Sequence, residues 1–108
     1  MVRLTVVGIT GKDPGKSQVT IGSKVLLKKE PTNPHDPYAI RVFLEDGESS
    51  VGYVANSPTT VTKNTKSATD VYSMFEDKTY GVVVGFDKVV FRSGRESKAI
   101  IVELKLGQ

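Results

Sequence analysis

His35 and Asp36, which stand side by side in a proline-rich stretch, are the residues of this chain best suited to chemistry. An imidazole and a carboxylate often serve as a general base and its orienting partner. His35 is the only histidine among the 108 residues, so a histidine-based mechanism would depend on this pair. Neighbouring side chains on extended backbone point to opposite sides. We therefore expect that His35 and Asp36 do not act together as a base and its orienter.

Other signatures of catalysis are missing from the sequence. It has no cysteine, no G-x-S-x-G elbow and no carboxylate pair at a recognisable spacing. Gly15, Lys16 and Ser17 suggest a phosphate-binding loop, but Thr10 stands where that motif requires its first glycine. With one histidine and no cysteine, the chain also lacks the usual ligands of a zinc site. We predict that the protein is not an enzyme and needs no metal or cofactor.

Length and charge are those of one small domain. A chain of 108 residues supports a single hydrophobic core, so we expect one domain over residues 1–108. The net charge of +3 suits a polyanionic partner only weakly, because fifteen basic and twelve acidic residues are interspersed. No apolar run has the length of a membrane span, and we expect a cytoplasmic protein without membrane contact.

Strands are predicted on both sides of the proline-rich stretch. Residues 3–8 and 24–29 alternate between apolar and other residues, with Lys24 and Lys28 on the outer face of the second segment. Residues 18–27 as a whole are predicted to be strand. Three prolines between residues 31 and 37 exclude a helix and a central strand, so this connection is rigid and exposed. A hairpin follows, with Asp46-Gly47 as its turn.

The later part of the chain adds short helices and more strands. Ser57-Pro58 can start one or two helical turns, and Ser67 is predicted to cap a helix from Ala68 to Phe75. Val71, Met74 and Phe75 then lie at helical spacing, and we expect their side chains to be buried in the core of the barrel. Strand patterns follow over residues 79–86, 89–91 and 98–106, and the turn between the last two is predicted at Ser93-Gly94-Arg95. The predicted fold is mainly β, a small antiparallel OB-like or SH3-like barrel of six or seven strands with one or two short helices.

The stretch from Lys28 to Asn56 also resembles a known family. The order EPxNPxDPxAIxV, a turn and then VGYV is similar to the HIRAN domain, a small β-barrel module of DNA-repair remodellers and stand-alone bacterial proteins. The matching residues are Glu30, Pro31, Asn33, Pro34, Asp36, Ala39, Ile40, Val42, Gly52 and Tyr53. The resemblance implies a non-catalytic module that binds nucleic acid, in particular single-stranded DNA at its 3′ end, and that has a protein partner in DNA processing.

The resemblance also implies site residues. Asp36 would lie near the terminal 3′ hydroxyl, and His35 stands where a stacking tyrosine often stands. Tyr53 and Asn56 would face the same pocket, and Phe86 lies near the position of another stacking aromatic. The candidates for contacts to phosphate and other parts of the nucleic acid are Lys12, Lys28 and Arg41. Thr10, Gly11 and Lys12 occupy the place of paired aromatics in DNA-end-binding members, which predicts weaker end recognition because a stacked base contributes about 1–3 kcal/mol.

Structural roles remain open for several of these residues. The Asp36 carboxylate can accept hydrogen bonds from the amides of Tyr38 and Ala39 in an Asx turn. Tyr53 can be a tyrosine at the rim of the core, and Gly52 can mark a bulge. The basic strand at residues 24–29 can be a solvated face that protects a sheet edge. The rival function is a protein- or peptide-interaction module whose positive charge is incidental.

Overall fold

Six antiparallel strands form a closed barrel in the computed structural model, which describes residues 2–8 and 12–105. The strands are β1 Arg3–Val7, β2 Lys24–Lys29, β3 Ile40–Leu44, β4 Ser50–Val54, β5 Lys78–Val90 and β6 Glu96–Leu104. Around the barrel they follow the order β1-β4-β3-β2-β5-β6, and β6 closes on β1. The predicted small, mainly β barrel is confirmed, with six strands in the described part of the chain.

The core follows from the alternation of side chains along each strand. Leu4 and Val6 of β1 and Val25 and Leu27 of β2 are fully buried, as the sequence pattern predicts. The other strands contribute Ile40, Val42, Val51, Val54, Val83, Ile100, Val102 and Leu104 to the same cluster. The intervening residues point away from this core. Thr5 is buried there against Thr62 and Thr65, and other outward residues form the surface on which the candidate site lies.

The segment before β2 is not the long strand that the sequence predicts. Residues Pro14–Gln18 form a 3₁₀ turn, and β2 begins only at Lys24. A tight turn separates them, in which the Thr20 amide donates to the Ser23 side chain and Gly22 takes a φ of +97°. This left-handed conformation suits glycine and interrupts a strand. Thr10 and Gly11 of the preceding loop lie outside the described residues.

The hairpin turn is also longer than Asp46-Gly47 alone suggests. Gly47 has a positive φ of 75°, whereas Asp46 does not. The Asp46 carboxylate accepts hydrogen bonds from the amides of Glu48 (2.8 Å) and Ser49 (2.9 Å). These bonds lower the pKa of the Asp46 carboxyl, with the amide of Ser49 the largest cause. The side chain thus closes a loop that two turn residues cannot close.

The last part of the chain forms a long two-stranded hairpin. β5 runs without interruption through both apolar stretches that the sequence analysis separates, and its register shifts between Val83 and Gly85. The loop that follows turns at Gly94, with φ of +86°, as predicted for the Ser93-Gly94-Arg95 sequence. Leu106, predicted to continue β6, lies outside the described residues.

The helical region is shorter than predicted. Helix α1 covers only Ala68–Val71 and continues as a 3₁₀ turn over Tyr72–Met74. Val71 is buried in the core and Phe75 packs partly against it, but Met74 is 39% exposed, so its predicted core position is wrong. The tighter 3₁₀ winding rotates Met74 away from the barrel. After Ser57 the chain makes a single hydrogen-bonded turn, in which the Ser57 carbonyl accepts from two amides.

Ser67 caps α1 as predicted, because its side chain accepts a hydrogen bond from the Asp70 amide at 3.2 Å. We expect Ser67→Ala to lower the free energy of unfolding by about 1 kcal/mol. Ser73→Ala is the matched control, since Ser73 is exposed in the following 3₁₀ turn. Urea denaturation of the two variants measures the difference, and equal stabilities would show that the cap does not contribute.

No helix within residues 2–8 and 12–105 is both long and apolar enough to span a membrane.

Candidate functional site

The proline-rich turn between β2 and β3 is organised by the side chain of Asn33. Its Oδ1 accepts hydrogen bonds from the amides of His35 (2.8 Å) and Asp36 (3.2 Å), and its Nδ2 donates to Glu30 Oε1 at 3.1 Å. Prolines supply no amide donors, and one asparagine side chain satisfies two of the amide donors left in this turn. Asn33 therefore fixes the backbone from which His35 and Asp36 project.

The Asp36 carboxylate joins this turn to α1. Its Oδ1 accepts from the Tyr38 amide at 2.8 Å, and its Oδ2 accepts from Asn56 Nδ2 at 2.9 Å. Asn56 Oδ1 in turn accepts from the Thr69 amide at 2.9 Å. The Asx-turn alternative is therefore correct for Tyr38. The amide of Ala39 donates instead to the main-chain carbonyl of Asp36, at 3.1 Å.

Tyr53, Glu30 and Arg41 form a second group beside the turn. The Tyr53 hydroxyl donates to Glu30 Oε1 at 2.8 Å, and Arg41 Nη1 lies 3.8 Å from Glu30 Oε2. Arg41 Nε also donates to Ser50 Oγ at 3.1 Å, and the guanidinium carbon lies 5.5 Å from the centre of the Tyr53 ring. Burial raises the pKa of the Tyr53 hydroxyl, and the hydrogen bond to Glu30 acts in the same direction.

These groups surround a cavity of about 560 Å³. Six of the candidate residues from the sequence line it together: Lys12, His35, Asp36, Arg41, Tyr53 and Asn56. Val7, Asp13, Asn33, Ala39 and Val54 complete the lining. The cavity thus combines two carboxylates, Asp13 and Asp36, with the cations of Lys12 and Arg41, the His35 imidazole and the Tyr53 ring. It is large enough for part of a nucleotide.

Two of the candidates, Lys28 and Phe86, lie outside this cavity. Lys28 is exposed on the outer face of β2, directly opposite Arg41 in the ladder to β3. Phe86 lies on β5, is 37% exposed, and has the Lys98 ammonium 4.1 Å from its ring centre. The structure therefore gathers the turn and hairpin candidates and separates Phe86 from them.

His35 and Asp36 both line the cavity, and no hydrogen bond joins their side chains in the part of the chain that the structure describes. The contacts of Asp36 are to Tyr38 and Asn56, and the His35 imidazole makes no hydrogen bond to it. Within residues 2–8 and 12–105, no three histidine, cysteine or acidic side chains are grouped as metal ligands.

A second concavity of about 490 Å³ adjoins the first across the side chains of Tyr53 and Asn56. Phe91, Arg92 and Ser93, from the loop between β5 and β6, line its far side. The sequence analysis missed these residues. An aromatic and an arginine directly before the Ser93-Gly94 turn were the available signal, but only the folded barrel shows that this loop lies beside β4.

Asp13 is a further residue that the sequence analysis missed. It is buried, and it accepts a hydrogen bond from Ser50 Oγ at 2.6 Å. Ser50 Oγ also accepts a hydrogen bond from Arg41 Nε. Through Ser50, Asp13 therefore links the segment after β1 to the group around Tyr53. An aspartate within a glycine- and lysine-rich loop gives no sequence signal for such a partner.

Similarity to known proteins covers both the fold and the cavity. None of the curated proteins matches the chain significantly. A crystal structure of a protein from Lactobacillus plantarum is similar in fold, with a TM-score of 0.55 and 23% sequence identity over 96% of this chain and 92% of that one. The model of the HIRAN domain matches residues 1–79, more than half of the chain and all of the cavity lining. The chain therefore belongs to the HIRAN domain family, a family of nucleic-acid-binding domains.

Proposed function

We propose that this domain binds the 3′ end of single-stranded DNA in the cavity around Asp36, in the cytoplasm and without catalysing a reaction. The observation that carries the proposal is the Asp36 carboxylate, which is half-buried in the cavity and held by the Tyr38 amide and by Asn56. A carboxylate at a fixed position in a cavity that also contains Lys12 and Arg41 suits a hydroxyl group that ends a polyanion.

The carboxylate retains capacity for a ligand. An ionised carboxylate can accept about four hydrogen bonds, and two are formed by Tyr38 and Asn56. A terminal 3′ hydroxyl can donate a further bond to either oxygen. A terminal phosphate cannot donate in its ionised form and would be repelled by the negative charge. The cavity is therefore expected to distinguish the two kinds of end.

The surrounding side chains suit the rest of a nucleotide. Lys12 and Arg41 line the cavity and can contact phosphate, and Arg92 lines the adjoining concavity. His35 and Phe91 are rings on which bases can stack. Phe91 thus offers a stacking surface although the segment after β1 carries no paired aromatics.

The arrangement favours binding over catalysis. The only imidazole is not paired with Asp36, and the two groups bonded to that carboxylate, the Tyr38 amide and the Asn56 side-chain amide, cannot take up a proton from it. A general base works together with a partner that orients it and relays the proton. A carboxylate tied to a turn is better suited to holding a hydroxyl than to moving its proton.

The proposal is tested by competition between two oligonucleotides of the same sequence, one ending in a 3′ hydroxyl and the other in a 3′ phosphate. We expect the hydroxyl end to bind about tenfold tighter or more, because hydrogen bonds to charged groups contribute roughly 1.5–3 kcal/mol. Fluorescence anisotropy at low salt measures both affinities.

Equal affinities would contradict end recognition. The absence of any binding at low salt would remove the nucleic-acid function altogether and favour the alternative of a peptide-interaction module.

A further inference from the structure

Outside the cavity, the outward side chains of four neighbouring strands form a basic row. Lys78 of β5 lies opposite Lys28 of β2, Lys28 lies opposite Arg41 of β3, and Arg41 lies opposite Tyr53 of β4. Residues directly opposite each other in antiparallel strands project from the same face of the sheet. The row therefore begins at the cavity, which Arg41 and Tyr53 line, and continues away from it to Lys28 and Lys78.

Lys28 and Lys78 are exposed and have no carboxylate within ion-pair distance among the described residues. Like charges directly opposite each other destabilise a sheet. Protection of a free edge does not explain them, because β2 is paired on both sides along this stretch and the barrel is closed. Two ammonium groups that lie opposite each other on β2 and β5, without a carboxylate partner among the described residues, suit an anionic partner.

A second outward row of apolar and aromatic side chains runs beside the basic row. Tyr80 of β5 lies opposite Leu26 of β2, and Leu26 lies opposite Phe43 of β3. Tyr80 is 40% exposed and has the Lys24 ammonium 4.4 Å from its ring centre, while the Arg41 guanidinium carbon is 5.5 Å from the Phe43 ring. Rings alternating with cations are the surface that a single strand binds through bases and phosphates.

We propose that this outer face of β5, β2 and β3 binds the single strand as it leaves the cavity, with Lys28 and Lys78 on its phosphates and Tyr80 and Phe43 beneath its bases. The proposal rests on the function proposed above and adds the path of the strand. From Arg41 to Lys78 the row crosses two strand spacings, about 10 Å. The additional contacts therefore require an oligonucleotide that extends beyond the cavity.

The test compares a tetranucleotide and a dodecanucleotide, both ending in a 3′ hydroxyl, over a range of salt concentrations. For the double variant Lys28→Gln, Lys78→Gln, the slope of log affinity against log salt should become shallower by about 1.4 with the dodecanucleotide, since each phosphate contact on a single strand contributes about 0.7. With the tetranucleotide, which offers fewer phosphates beyond the cavity, the change in slope should be smaller.

The matched control is Lys63→Gln, Lys66→Gln, which removes the same charge from exposed lysines outside both concavities and outside this face. It should leave the dodecanucleotide slope close to that of the wild type. Equal slopes for the two double variants, or no gain in affinity with length in the wild type, would overturn this inference alone. A wild-type protein that binds neither oligonucleotide would overturn the proposed function as well.

Discussion

Gly52→Ala is expected to lower the free energy of unfolding by roughly 2–6 kcal/mol and the melting temperature by about 10 °C or more. A Cβ at this position would lie 2.3 Å from the carbonyl oxygen of Val7 and 2.8 Å from the Cα of Gly8. Both are backbone atoms of the segment at the end of β1, and backbone atoms cannot rotate away as the end of a side chain can. The φ of +147° adds strain for any residue with a Cβ.

The close approach occurs at a bulge in β4, in which Val51, next to Gly52, is the extra residue. The register between β3 and β4 shifts between Val42 and Phe43, and Val42 pairs with Gly52. The sequence-based suggestion that Gly52 marks a bulge is thus confirmed. At the same place β4 turns toward β1, where Val7 pairs with Tyr53. Substitution at Gly52 would disturb the β1–β4 ladder and, with it, the position of Tyr53 in the cavity.

Gly85→Ala is the matched control, because a Cβ at Gly85 has no neighbour within 4 Å and its backbone is not left-handed. Its stability should stay within about 1 kcal/mol of the wild type. Thermal denaturation followed by circular dichroism measures both variants. If the Gly52→Ala and Gly85→Ala variants both melted near the wild-type temperature, the contact between β4 and β1 would not be as close as described.

The second large effect is expected for Asp36→Asn. An asparagine can still accept from the Tyr38 amide, so the turn by itself would tolerate the change. The hydrogen bond to Asn56 would be lost, because Asn56 Nδ2 would face the new NH2 group at position 36. Asn56 cannot turn its Oδ1 to that group, since Oδ1 already accepts from the Thr69 amide. Two donors would then meet at about hydrogen-bond distance. We expect a loss of about 1–3 kcal/mol of stability, measured by urea denaturation.

Asn56→Asp should rescue Asp36→Asn. Alone, Asn56→Asp places a second carboxylate against Asp36 and should also destabilise the fold. In the double variant the new side-chain amide at position 36 can donate to the new carboxylate at position 56, which can still accept from the Thr69 amide. A double-mutant cycle should therefore show a favourable coupling of about 1–3 kcal/mol. Additive effects would mean that the hydrogen bond between residues 36 and 56 does not form.

Asp36→Asn also has an expected effect on binding. Measured well below its melting temperature, the variant should bind 3′-hydroxyl and 3′-phosphate ends with nearly equal affinity, because the repelling charge is gone. A preference that persisted at the wild-type level in the folded variant would show that Asp36 serves the turn and not the DNA end.

The alternation of residues was sufficient to predict most of the barrel. Leu4, Val6, Val25 and Leu27 are buried as their positions in the strands predict, since a strand with one face in the core must alternate. The Ser67 cap was predictable for a similar reason, because a cap depends only on the next three residues. Met74 was assigned to the core wrongly because helical spacing does not reveal where a short helix tightens into a 3₁₀ turn.

The candidate site also has some parts that the local sequence determines and others that depend on the tertiary structure. The sequence alone determined the rigid proline turn that presents His35 and Asp36, because proline restricts the backbone locally. It also determined the hairpin that carries Arg41 and Tyr53. These residues lie close together along the chain, so local rules and the family motif were enough to group them.

Closure of the barrel decided the rest. Asn56 as the partner of Asp36, Asp13 as the partner of Ser50, and Phe91 beside Tyr53 all depend on contacts between segments 20 to 38 residues apart. The alignment of Lys78 with Lys28 and Arg41 likewise depends on the register of β5 against β2. Such pairings are fixed by packing of the whole core and not by any local sequence preference, so only the tertiary structure could provide them.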